Sequence, residues 1–94
     1  MHPMYKIARS VSTAEGIEIA SGLSSDTLRV PFFLGALHYG QREVVEYMMS
    51  IWHWPQTREF MDLLQQEIRE LHDYETELIQ WLIYTPAYLR LASQ

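Results

Sequence analysis

The sequence predicts an all-α protein, a small helical bundle built from antiparallel helical hairpins. Apolar side chains recur every three or four residues through most of the chain, whereas segments that alternate with a period of two are too short to support a sheet. Gly, Pro and capping residues fall between the periodic segments, where one helix would end and the next begin. The chain has 94 residues, of which 48% are apolar, and this length predicts a single domain over residues 1–94.

Short helices are expected at the amino-terminal end of the chain. Helical spacing starts near Met4, and Ser12 followed by Glu15 matches a capping box, in which each side chain bonds the backbone N–H of the other residue. The helix that this box opens is expected to stop at Gly22. Gly16 weakens that helix by about 1 kcal/mol relative to Ala, so one broken helix and two short helices are both open.

A linker over residues 22–26 separates this region from the next helix. That helix is expected to start at about residue 27 or 31 and to end at Tyr39, with Pro31 in its first turn. Pro is tolerated there because the N–H groups of a first turn have no helical acceptor, so no hydrogen bond is lost. Gly40 suits the left-handed position that follows a helix. The next helix, over about 41–52, therefore follows after a very short turn.

The segment from Ala36 to Met49 resembles the middle of an ankyrin repeat. A helix of small residues ends at Gly40, and a helix that begins with Glu43-Val44-Val45-Glu46 follows it. The resemblance covers about 14 residues, and no second copy is visible at a period of about 33 residues. It implies a pair of antiparallel helices with a tight Gly turn and, if the pair is truly repeat-like, protein binding rather than catalysis.

The strongest pattern lies in the carboxy-terminal half, where the 28 residues from Thr57 to Tyr84 contain no Gly or Pro. We expect one long helix over about 56–84, followed by a short helix that Thr85 caps and Pro86 begins. The long segment carries seven acids and two Arg, so its charge of −5 equals the net charge of the protein. Its apolar stripe comprises Met61, Leu64, Ile68, Leu71, Leu78 and Leu82.

One position in this stripe has two interpretations. Glu75 stands where an apolar residue is expected, and Tyr74 can take that core position instead. Alternatively, Glu75 is a buried carboxylate that fixes register against a basic residue of a partner. The spacing favours the first interpretation.

Composition excludes several classes of function. One Lys and six Arg are scattered through an acidic chain, which argues against direct binding of nucleic acid, because contacts with phosphate groups need clustered Lys and Arg side chains. The chain has no Cys, so disulfides and thiolate metal sites are excluded. No run approaches 18 apolar residues and no signal-peptide pattern is present, so we expect a cytoplasmic protein without a membrane span.

Candidate chemistry is sparse. No two of the four His residues lie three or four positions apart, and no Glu-x-x-His motif, phosphate loop or matched Ser, His and Asp set is present. The sequence therefore predicts neither an enzyme nor a bound cofactor or metal. The alternative is a helical-bundle metal or cofactor protein that uses His38, His53 or His72 together with acidic residues.

The leading hypothesis is a non-enzymatic interaction protein, such as an adaptor, a chaperone or an inhibitor-like regulator, that binds a protein partner or a second copy of itself. Four acids spaced along one predicted helix face would orient a basic partner, although a solvated face or a divalent-cation site would give the same spacing. The expected partner contacts are the apolar Val44, Met48, Leu64, Leu71, Leu78, Trp81 and Leu82, shared between core and interface, and the acidic Glu67, Glu70, Asp73 and Glu77.

Overall fold

The computed structural model describes residues 2–71 and 73–94, and within them the chain is all-α, as predicted, with no strand. The chain divides into an amino-terminal unit, Met1–Trp52, and a carboxy-terminal unit, His53–Gln94. The prediction of a single domain stays a prediction. The helices of the described residues are α1 (Pro3–Ile7), α2 (Thr13–Gly22), α3 (Asp26–His38), α4 (Arg42–Ile51), α5 (Arg58–Leu71), α6 (Thr76–Ile83) and α7 (Pro86–Ala92).

The predicted capping box opens α2. The backbone N–H of Ser12 donates to Glu15 Oε1 at 3.0 Å, and the N–H of Glu15 donates to Ser12 Oγ at 3.2 Å. Helix α2 ends at Gly22, as the sequence predicts, and it continues unbroken through Gly16. A Cβ at Gly16 would lie 2.7 Å from Val44 Cγ2, so the missing side chain is what lets α2 pack closely on α4.

Helix α3 begins close to the earlier of the two predicted starts, and the prediction that Pro31 lies in its first turn is wrong. The helix starts at Asp26, where the carbonyl of Ser25 accepts the N–H groups of Leu28 and Arg29 at 3.2 and 2.9 Å. Pro31 therefore lies inside the helix and leaves the carbonyl of Thr27 without its helical donor. Thr27 is exposed, so water can reach this part of the helix.

The turn between α3 and α4 confirms the prediction for Gly40, whose φ is 68°. The N–H of Gly40 donates to Leu37 O at 3.2 Å and that of Gln41 to Ala36 O at 2.8 Å, the paired bonds that close a helix at a left-handed Gly. The side-chain amide of Gln41 also donates to the carbonyls of Ala8 and Val11, at 3.2 and 2.8 Å. The turn is thus tied to the segment between α1 and α2.

Helices α1 and α4 both pack against α3 in the amino-terminal unit. The Trp52 ring meets Phe33 edge-on at 5.5 Å between centroids, and its Nε1 donates to Asp26 Oδ1 at 2.9 Å. This bond joins the end of α4 to the start of α3. The fully buried large side chains of the unit are Phe32, Phe33, Leu37, Val44, Val45 and Met48.

The prediction of one long helix over 56–84 is wrong, because α5 ends at Leu71 and α6 begins at Thr76. At the end of α5, the N–H groups of Tyr74 and Glu75 both donate to Leu71 O, at 3.0 and 2.9 Å. The buried positions Leu71 and Leu78 still lie seven residues apart, the spacing of two helical turns. The apolar pattern therefore stays in phase across the break, and periodicity alone cannot reveal it.

The break also changes the interpretation of Tyr74 and Glu75. The Tyr74 side chain is 83% exposed in the turn, so the prediction that it takes a core position is wrong. The helix that would have carried it into the core ends at Leu71. Glu75 is half-buried at the cap of α6, and its proposed role in fixing register with a partner stays a prediction.

The predicted Thr85 cap of the carboxy-terminal unit is confirmed, and Thr57 caps α5 in the same way. Thr57 Oγ1 accepts the N–H of Phe60 at 3.1 Å at the start of α5, and Thr85 Oγ1 accepts the N–H of Tyr88 at 3.3 Å at the start of α7. The Gln94 side chain donates to Gln56 Oε1 at 2.6 Å, which joins the two ends of the unit.

Candidate interaction surface

The predicted apolar contacts of a partner are almost all core residues. Six of them are no more than 4% exposed, whereas Trp81 is half-buried. These six already contribute to the stability of the chain itself, because their side chains are removed from water without a partner. Their further role in partner binding stays a prediction. The six buried residues are Val44, Met48, Leu64, Leu71, Leu78 and Leu82.

The four predicted acidic contacts do not share one helix face, so that part of the prediction is wrong. Glu67 and Glu70 lie on α5, Asp73 lies in the following turn, and Glu77 lies on α6. The helix that would have aligned them ends before Asp73. Glu67 is buried at 8% exposure, whereas the other three are exposed.

The large apolar side chains that are exposed differ from the predicted contacts, and most of them lie in the carboxy-terminal unit. Among the described residues, five large apolar side chains are exposed, and four of them belong to this unit: Leu63 at 45%, Tyr74 at 83%, Tyr84 at 76% and Leu89 at 53%. The fifth is Ile51, at 52%. The sequence does carry one signal for Tyr84 and Leu89, since residues 78–91 are apolar on nearly every side of a helix.

Helix α5 presents a mixed outward face around Leu63. Of the residues at helical spacing from Leu63, Glu59, Gln66 and Glu70 are polar and exposed, whereas Phe60 and Glu67 are buried. Arg58 Nε lies 3.6 Å from Asp62 Oδ1, and both side chains are largely in water, so this ion pair contributes little to the stability of α5. The exposed leucine thus has two exposed glutamates, Glu59 and Glu70, on its own face of α5.

Negative charge is concentrated in the carboxy-terminal unit. Residues 53–94 contain seven acids and three Arg, for a net charge of −4, whereas residues 1–52 contain five acids and four bases, for a net charge of −1. The electrostatic attraction of this protein for a basic partner is therefore strongest at the unit that also exposes most of the apolar side chains.

The histidines of the metal-binding alternative lie in different settings. His38 is half-buried and packs against the rings of Tyr5 and Tyr39, with centroids 5.5 and 4.8 Å away. His53 is exposed, and His72 lies outside the described residues. The metal or cofactor alternative stays a prediction.

Comparison with protein-family models, with curated proteins and with solved structures finds no match to this chain. The likeness of residues 36–49 to an ankyrin unit therefore stays a prediction, although the helix pair and the Gly turn that it implies are both present. Across residues 2–71 and 73–94, no helix combines the length and the apolar character needed to cross a membrane.

Proposed function

We propose that the chain is a non-enzymatic protein-binding module, acting in the cytoplasm as an adaptor, chaperone or inhibitor-like regulator. Its partner contacts the carboxy-terminal unit. The observation that carries this proposal is the concentration of exposed apolar side chains in a unit that also holds seven of the twelve acids. A contiguous apolar patch with a polar rim is typical of surfaces that a second protein covers, and we take these side chains to belong to such a patch.

The exposed side chains have the chemistry of binding contacts. Covering the exposed half of Leu89 contributes about 1 kcal/mol, because complete burial of a leucine is worth about 1.5–3 kcal/mol. Tyr74 and Tyr84 each offer a ring and a hydroxyl, and tyrosine is enriched among the residues that dominate binding energy. Three such contacts suffice for a moderate affinity only when the surrounding polar groups also fit the partner.

The acidic groups favour a partner that carries Arg or Lys. Among the predicted contacts, Glu70, Asp73 and Glu77 are exposed and Trp81 is half-buried, whereas the buried residues each stabilise the unit to which they belong. Charges of opposite sign accelerate the encounter of two proteins, and salt screens this attraction over about 8 Å at physiological ionic strength. The association rate with the partner is therefore expected to fall as salt is added.

A matched pair of variants tests the proposal, because Leu89 and Ile51 are equally exposed, at 53% and 52%, and lie in different units. The purified wild-type chain first identifies its partner by affinity capture and mass spectrometry. Binding of that purified partner is then measured for wild type, Leu89→Ser and Ile51→Ser by calorimetry. We expect Leu89→Ser to weaken binding roughly five- to tenfold, since about 1 kcal/mol is lost, and Ile51→Ser to leave it unchanged.

Circular dichroism of both variants checks that each remains folded. Equal affinities for wild type, Leu89→Ser and a Tyr84→Ser variant would exclude the carboxy-terminal unit as the binding surface. A homo-oligomer is the other predicted assembly. Light scattering over a dilution series distinguishes it, because a second copy as the partner gives about twice the 11.1 kDa mass of one chain.

A further inference from the structure

We draw no further inference here: the strongest candidate, the exposed apolar surface at Tyr84 and Leu89 on either side of the junction of α6 and α7, belongs to the surface already described, and nothing in the structure shows what covers it.

Discussion

Replacement of Gly35 by Ala is expected to destabilise the protein, although the same change stabilises an ordinary helix. Gly35 lies inside α3 at the place where α1 crosses it. A Cβ at this position would overlap the carbonyl oxygen of Tyr5 and would lie 2.9 Å from both the carbonyl carbon and the Cα of Tyr5. These are main-chain atoms, so no side-chain rotation relieves the contact, and α1 has to move away from α3.

Two opposing terms set the size of the effect. Ala is better than Gly in a helix interior by about 1 kcal/mol, whereas overpacking a tight contact costs about 1–3 kcal/mol. The overlap with main-chain atoms puts the cost at the upper end of that range, because α1 also holds the Tyr5 ring against His38 and Tyr39. We therefore expect a net loss of about 2 kcal/mol in the free energy of unfolding.

Gly22 and Gly16 provide matched controls for this substitution. A Cβ at Gly22 meets nothing within 4 Å, so Gly22→Ala is expected to leave stability unchanged or to raise it by up to about 1 kcal/mol. The stability of Gly16→Ala is expected to lie between those of Gly35→Ala and Gly22→Ala, because the added Cβ meets a side-chain methyl of Val44 that can shift slightly.

Urea unfolding followed by circular dichroism measures all three variants, and a thermal scan should show Gly35→Ala melting about 8–16 °C below wild type. If Gly35→Ala is as stable as Gly22→Ala, α1 does not pack on α3 through this glycine, and the argument fails.

Three further predictions concern the turns and caps. Gly40→Ala places a residue with a Cβ in the left-handed region, at φ 68°, and is expected to lower the free energy of unfolding in urea by about 1–2 kcal/mol. Gly40→Asn is expected to lower it less, because Asn tolerates this region better, and equal losses for the two variants would argue against backbone strain. Thr85→Ala removes the α7 cap and is expected to cost about 1 kcal/mol, whereas Thr85→Ser keeps the hydroxyl and should remain close to wild type. Hydrogen bonds from the backbone N–H and then the hydroxyl of Ser12 hold the pKa of the Glu15 carboxyl below its ordinary value of 4.5. Ionised Glu15 therefore stabilises the fold above pH 4.5, and this contribution is lost as the pH falls through the folded-state pKa. The stability difference between wild type and Glu15→Gln should shrink on acidification, and a difference independent of pH would contradict the assigned bonds.

The features predicted correctly from the sequence are those that depend on residues a few positions apart. The capping box of Ser12 and Glu15, the left-handed Gly40 and the Thr85 cap each satisfy backbone groups within one helical turn. Such groups must be satisfied by something nearby, and only a few side chains can do so. The local sequence therefore determines where α2 and α7 begin and where α3 ends.

The main errors lie where the spacing of apolar residues does not determine the course of the backbone between them. The stripe of apolar residues continues in phase from Leu71 to Leu78, yet the helix breaks between them, and Tyr74 is exposed as a result. The spacing of apolar residues reports which side chains avoid water, but it does not report whether the backbone between them stays helical.

The exposed surface shows the same division. The sequence alone established an all-α chain with its acids concentrated in the carboxy-terminal half. Only the tertiary structure decided that Leu64, Leu71 and Leu78 are buried while Leu63 and Leu89 remain exposed. Burial depends on which helix faces meet, and those meetings join residues that are far apart in the sequence.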